Sequence, residues 1–431
     1  MNATFPSPEF KNWGWCGRLV EHVQAINHQN ATETLNFARL LSETGYFLQT
    51  QGHYGEAEPL YLQALQIQRL QLGEDNPNTA AALNILAVLY HAQGRYEEAE
   101  PLHLQALKNW RSQFGEAHLS TASSLNNLAR LYVAQGRYEE AEPLYRQALV
   151  IKRSQLGEVH PSTAISLNDL AALYRAQGRY GEAEPLYRQA LKIRQSQFGE
   201  AHPDTAQGLN NLALLYQSQG RYGEAESLYQ QALKIQQSQL GDDHPDTATS
   251  LNNLAGVYKA QGRYGEAELL LHQALQIRRL QLGERHPDTA ISLNNLAGLY
   301  DSQARYEEAE PFYLQALKIQ QSQLGNDHPD TATSLNNLAG LYEAQGCYKE
   351  AELLYLQALS ILFKQLGENH PNTQTGWQNF VYFLQQVIEA GRTANLSDHS
   401  VTQGLLAQLK TERKQGILKR LKRLGTMLLR S

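Results

Sequence analysis

The segment Gly-x-Tyr-x-Glu-Ala-Glu begins at Gly52, Gly94, Gly136, Gly178, Gly220, Gly262 and Gly346, with Ala304 standing in for the remaining glycine, and successive starts lie 42 residues apart. Self-similarity of this period means that like units stack, and the core grows with their number. The 431 residues therefore count repeats and not separate globules. A second block, LNNLAxLYxAQG, precedes the first in most copies, as in Leu251 to Gly262. A third, LGxxHPDT, joins one copy to the next, as in Leu240 to Thr247.

Leu251, Leu254, Ala255 and Tyr258 fall at i, i+3, i+4 and i+7, which is one apolar stripe of a helix, here called A. Gly262 suits the left-handed turn that follows a helix end. Tyr264, Ala267, Leu270, Leu271, Ala274, Leu275 and Ile277 keep helical spacing again and predict a longer helix B, ending near Gly283. His286-Pro287-Asp288-Thr289 then restarts helix A, since proline at the first helical position gives up an amide that has no partner there. Pro59, Pro101, Pro143, Pro185 and Pro311 sit deeper in helix B than proline usually does, and a bend without a break is expected there. Ala255 and Ala267 mark where A and B must approach closely. Neither helix buries its stripe alone, so stacked pairs curve into a superhelix whose concave face is lined mainly by helix A.

The pattern Leu83-x-x-Leu86-Ala87-x-x-Tyr90, followed by Ala99 and Ala106, resembles the tetratricopeptide repeat. With LNNLAxLYxxQGxYxEAExLYxxALxIxxxxLGxxHPDxA at a 42-residue spacing, the chain is similar to the repeats of kinesin light chains and their bacterial relatives over about residues 33 to 388. The resemblance implies an all-α fold, a right-handed α-α superhelix of helical hairpins that binds other polypeptides. It does not extend to the heptad-rich coiled coil with which motor light chains join their heavy chains. The expected organisation is an irregular segment and capping helix over 1–32, eight repeats over 33–373, a ninth helix A or partial repeat over 374–398, and a basic amphipathic helix over 399–431. In the ninth helix A, Trp377, Phe380, Val381 and Leu384 take the places of Leu, Leu, Ala and Tyr. A helix over residues 18 to 29 is expected to cover the first repeat.

Two features of helix A are candidates for function. The first is a double column of asparagines: Asn84, Asn126, Asn168, Asn210, Asn252, Asn294 and Asn336, each followed by the next residue, giving Asn127, Asp169, Asn211, Asn253, Asn295, Asn337 and Asn379. At about 100° per residue the second column points away from the apolar stripe, toward the inside of the superhelix. An amide carries a donor and an acceptor, so a row of them can pair with an extended peptide backbone whatever its side chains. Peptide-binding tetratricopeptide domains use Asn here, and the resemblance implies the same for the second column. The competing reading is that these amides tie neighbouring helices together, and for the first column that reading is favoured.

The second feature is variation confined to two sites of otherwise near-identical copies. One reads Val88, Arg130, Ala172, Leu214, Gly256, Gly298 and Gly340; the other reads His91, Val133, Arg175, Gln217, Lys259, Asp301 and Glu343. A recognition surface varies like this, and so do unconstrained solvent positions. Three glycines, each costing a helix about 1 kcal/mol relative to Ala, favour recognition in a groove that needs room. Charge along the second site, from Arg175 and Lys259 to Asp301 and Glu343, offers a bound segment a direction.

Other classes of function find little support. The net charge is -6, yet residues 400 to 431 hold eight Lys or Arg against Glu412 alone, so the body is acidic and gives no reason to expect nucleic acid. His118, His160, His202, His244, His286, His328 and His370 occur one per repeat, which spreads them too far apart to share a metal and suits them to capping helix A. No nucleophile, base and acid arrangement or phosphate-cradling loop stands outside the repeat, and a site built from a repeated residue would itself be repeated. No enzyme activity and no cofactor are therefore expected. Cys16 and Cys347 read as free thiols, and a cytoplasmic location follows from them and from the lack of a leader or long apolar span. Residues 415 to 431 form a basic amphipathic stretch that would act as a cap, dock on an acidic partner or a membrane surface, or fold back on the groove. The expected role is an adaptor for an extended peptide, with a sensor arm of a larger signalling protein or a self-associating scaffold as alternatives.

Overall fold

The loop residues decide where each helix starts. The computed structural model describes residues 10–28 and 34–411. Helix A of the eight repeats spans Leu35–Thr50, Pro77–Ala92, Leu119–Ala134, Pro161–Ala176, Pro203–Ser218, Pro245–Ala260, Pro287–Asp301 and Pro329–Ala344. Helix B spans Tyr54–Leu72, Tyr96–Phe114, Tyr138–Leu156, Tyr180–Phe198, Tyr222–Leu240, Tyr264–Gln281, Tyr306–Gln323 and Tyr348–Leu366. No strand occurs among the described residues.

The histidines do cap helix A. His160, His202, His244, His328 and His370 each accept, through Nδ1, the backbone N–H two residues on at 3.0 to 3.1 Å, and Asn76 does so through its amide oxygen at 2.9 Å. Because Nδ1 accepts, the ring proton resides on Nε2. The Thr of HPDT closes the same loop: buried Thr79, Thr121, Thr163, Thr205, Thr247 and Thr331 donate to the carbonyl of the glycine six residues earlier at 2.8 to 2.9 Å. Between A and B the chain turns through a left-handed residue, such as Gly262 at φ 77°. The following amide reaches back five residues in this C-cap, as Arg137 N does to Tyr132 O at 2.8 Å. Ala304 occupies the equivalent position at φ 58°, a conformation its Cβ disfavours.

Helix B runs unbroken through Pro59, Pro101, Pro143, Pro185 and Pro311. The carbonyl each proline deprives of its partner belongs to an exposed first-turn residue, for example Glu97 or Gly181, where water can replace the lost bond. Ala255 and Ala267 are both fully buried, as the close approach of A and B requires.

An outer ladder, unforeseen from the sequence, stitches successive repeats. Arg95, Arg137, Arg179, Arg221 and Arg263 each pair with a glutamate of the preceding repeat (Glu58, Glu100, Glu142, Glu184, Glu226) at 2.7 to 3.0 Å. Each also binds the glutamate three residues on and stacks on the last tyrosine of its own helix A, with Arg137 3.9 Å from the Tyr132 ring centre. These carboxylates hold the guanidinium pKa values above the usual range.

The chain divides into two compact units, one taking in Arg137–His286 and what precedes Ala134, the other Pro287 onward with Ala134–Gly136. The first holds helix Trp13–His28 and repeats 1 to 6; within it, His286 Nε2 lies 3.3 Å from the carbonyl of Thr50. In the second, helix Pro371–Glu389 and helix Ser400–Thr411 follow repeat 8. Trp377, Phe380, Phe383, Leu384, Val401 and Leu405 form an aromatic-rich core with Tyr355 and Phe363 of helix B. Glu352, at the ladder position but with no repeat after it, is buried and accepts from Ser397 N, Ser397 Oγ and Thr402 Oγ1 at 2.6 to 2.7 Å. The basic stretch from Gln415 to Ser431 lies outside the described residues.

Candidate protein-interaction face

The first column of asparagines is spent on joining repeats. Asn126 Nδ2 donates to Ser166 Oγ at 3.1 Å, Asn210 to Ser250 at 2.8 Å, and Asn294 to Ser334 at 2.7 Å. Each bond runs from helix A of one repeat to helix A of the next. Asn168, with its amide oriented to suit its neighbours, accepts from both terminal nitrogens of Arg194 at 3.0 and 2.6 Å. These side chains pair inside the protein, as buried amides usually do.

The second column divides. Asn127 donates to Asn84 Oδ1 at 3.2 Å, Asn379 to Asn336 Oδ1 at 3.2 Å, and Asp169 accepts from Asn126 Nδ2 at 3.3 Å. In those repeats the two columns bond to each other. Asn211, Asn253 and Asn337, by contrast, are half-buried and make no hydrogen bond through their side chains among the described residues, while Asn295 is exposed. Adjacent repeats 5 and 6 thus present Asn211 and Asn253 with donor and acceptor both uncommitted.

The variable sites are less free than a solvent surface. Gln217 accepts from Tyr229 Oη at 3.2 Å and Glu343 from Tyr355 Oη at 2.8 Å, while Arg175 draws the Tyr187 pKa down against the burial that raises it. The phenol comes from helix B of the same repeat, twelve residues on, and burial raises the Glu343 pKa. Arg130 is exposed; Lys259 and Asp301 are half-buried. A Cβ on Gly340 would stand 3.6 Å from Tyr355 Oη, an ordinary contact, and one on Gly256 3.3 Å from Gln217 Nε2. Packing does not require glycine at 340.

A further column escaped the sequence reading: Gln68, Trp110, Lys152, Arg194, Gln236, Arg278, Gln320 and Leu362, near the end of helix B. Lys152, Arg194, Gln236, Arg278 and Gln320 are all at least nine-tenths buried. Arg194 and Arg278 bond helix A of their own repeat, at Asn168 and Thr249, whereas Gln236 accepts from Ser250 Oγ of the following repeat and so extends the Asn210 to Ser250 bond into a chain of three. The signal was available, because Ala148 and Leu149 lie four and three residues before Lys152 and place it on the apolar stripe. A charged residue in the phase of the core was the anomaly.

Lys152 and Arg194 act on Asp169 together with Arg130. Burial raises the Asp169 pKa against the pull of these three cations, and burial lowers that of Lys152. No group of His, Cys, Asp and Glu among the described residues could hold a metal, and no described helix is long and apolar enough to cross a membrane.

Comparison with curated proteins gives no match. Among solved structures, the chain is similar to BtubC (BKLC) from P. vanneervenii, with 26% identity over 54% of this chain and 92% of that one and a TM-score of 0.43. It is similar to a putative kinesin light chain from Podosopora anserina with nearly identical repeats, with 32% identity over 47% of this chain and 97% of that one and a TM-score of 0.40. A Rap protein solved with Competence and Sporulation Factor shares the fold at 16% identity, covering 82% of this chain and 99% of that one with a TM-score of 0.50. The family model described as Tetratricopeptide repeat matches residues 36–112, 82–154, 120–196, 204–279, 261–322 and 302–362. With that model matching most of its length and helical hairpins repeating along it, this chain belongs to the tetratricopeptide repeat family, whose scaffolds mediate protein interactions.

Proposed function

We propose that the chain is an adaptor whose helix A face holds an extended polypeptide segment by its backbone. The observation that carries this reading is the pair of uncommitted amides at Asn211 and Asn253 on consecutive repeats. Every sister amide of the first column that is buried has found a partner in the fold; these two offer a donor and an acceptor each and use neither. A peptide backbone has the complementary groups at every residue. Around the pair, Leu214, Gln217, Gly256 and Lys259 differ in size and charge and supply side-chain selectivity. Among the other proposed contacts, Arg130, Arg175, Asn295, Asp301, Asn337 and Glu343 serve as selectivity or backbone groups in their own units. Asn127, Asp169 and Asn379 must exchange an internal bond for a ligand bond and contribute less.

The test is capture of partners from a lysate of the source cells by wild type and by Asn211→Ala with Asn253→Ala. Each amide bond contributes about 0.5 to 1.5 kcal/mol net, so the double change should weaken retained partners by about tenfold while circular dichroism stays unchanged. Identical capture by both proteins rejects the amides as the binding device.

A further inference from the structure

Helix A begins at a histidine cap and ends at the A–B turn, so stacked hairpins carry caps along one edge and turns along the other. Twice the chain lays a cap on a turn. Within the first unit, His286 Nε2 donates to the carbonyl of Thr50, the last residue of helix A in repeat 1, at 3.3 Å across 236 residues. Within the second, His370 lies against the turn of repeat 3: a Cβ on Gly136 would stand 2.7 Å from its Cδ2 and 3.5 Å from its Cα. Burial lowers the His370 pKa and the Ala134 backbone raises it, as a carbonyl facing an imidazole N–H does. The chemistry suits both sides. The last carbonyls of a helix have no partner within it, and a cap that accepts at Nδ1 carries its proton on Nε2.

Other members of the two rows are unmatched. His118, His160 and His202 accept at Nδ1 from the amide two residues on, and the Nε2 of each has no partner among the described residues. The carbonyls of Ala176, Ser218 and Ala260, which end helix A as Thr50 and Ala134 do, accept no hydrogen bond among the described residues. These three residues are exposed, as are Gly178, Gly220 and Gly262 two positions on, whereas Gly52 in the turn that His286 covers is buried. A Cβ on Gly178, Gly220 or Gly262 meets nothing within 4 Å. All of these caps and turns belong to the first unit.

We propose that the chain assembles with itself head to tail, the caps at His118, His160 and His202 of one copy seating on the turns after Ala176, Ser218 and Ala260 of the next. The contact made at His286 and His370 is then continued between copies: a donor on one edge, an orphan carbonyl on the other, and glycine where the imidazole needs room. Because the two edges differ, every added copy leaves one of each free, and the assembly is open-ended. It uses none of the amides proposed to hold peptide.

Sedimentation velocity of the full chain, at concentrations rising to its solubility limit, tests this with two variants. His118→Asn with His160→Asn and His202→Asn keeps the caps, as Asn76 does in repeat 2, and removes the outward N–H. Gly178→Asn with Gly220→Asn and Gly262→Asn puts a Cβ where Gly136 meets His370; Asn accepts a left-handed φ, and Ala304 shows that the turn folds with a Cβ. Wild type should grow past a dimer as concentration rises. Each variant alone should need at least about tenfold more protein to associate. An equimolar mixture of the two should form dimers and stop there, because one intact cap edge meets one intact turn edge. Wild type that stays monomeric, or that stops at a dimer, overturns the proposal whatever the variants do. With helix content unchanged by circular dichroism, a variant that associates as strongly as wild type, or a mixture no larger than its parts, overturns it as well.

Discussion

His103 provides the sharpest test of how the repeats hold their amides. It occupies the place of a tyrosine in six of its seven sister copies, is 1% exposed, and bonds Asn84 Oδ1 through Nδ1 at 2.9 Å. Asn84 Oδ1 also accepts from Asn127, so the imidazole supports a residue of the candidate face. Burial, with a smaller contribution from His91, pushes the His103 pKa from 6.5 down to about 4. The fold therefore prefers the neutral ring. Stability from this preference is complete above pH 6.5, where folded and unfolded chains are both neutral, and is lost as pH falls from there to about 4, because the unfolded chain binds the proton first. By linkage, the loss is about 2 kcal/mol at pH 5 and about 3 kcal/mol below pH 4. His103→Tyr removes the titration and restores the residue that the sister copies carry. Urea denaturation followed by circular dichroism at pH 7 and pH 5 should show wild type losing about 2 kcal/mol more than the variant between the two conditions. The difference of differences matters, since the capping histidines titrate equally in both proteins. An unchanged pH dependence in His103→Tyr, or an NMR titration of His103 centred near 6.5, refutes the reasoning.

Three further outcomes follow from the loops and the outer ladder. Ala304→Gly relieves a left-handed alanine and should stabilise its unit by about 1 kcal/mol, read as a higher urea midpoint; a lower midpoint would mean that the turn tolerates Cβ at no cost. Cys347→Arg supplies the ladder cation that Glu310 lacks, leaving it with Tyr342 Oη at 2.9 Å, and should add about 0.5 to 1 kcal/mol that fades in 1 M salt. The converse change, Arg137→Cys, removes pairs to Glu100 and Glu140 and should cost about 1 kcal/mol with the same salt dependence. A gain that survives high salt would assign the effect to packing instead of charge.

Periodicity carried most of the fold. The 42-residue spacing, the two apolar stripes, the left-handed glycines and the Pro at the start of helix A each depend on neighbours within a few residues, so they can be read from the chain alone. The capping role of His160 and His202 was legible for the same reason: donor and acceptor are two residues apart. The outer ladder was hidden because Arg137 meets Glu100 across 37 residues, and nothing in a single helix says that the arginine after one turn faces the glutamate of the previous repeat.

What the sequence by itself determined is the unit: two helices, their ends and their buried stripes, since these follow from local sterics and helical phase. Only the tertiary structure decided which amides are spoken for. Asn127 and Asn211 occupy the same place on near-identical helices, yet Asn127 is drawn into a bond with Asn84 while Asn211 is left with none. Bonds of that kind depend on the distance between stacked repeats, a quantity set by the packing of side chains far apart in the chain and by no residue's own identity.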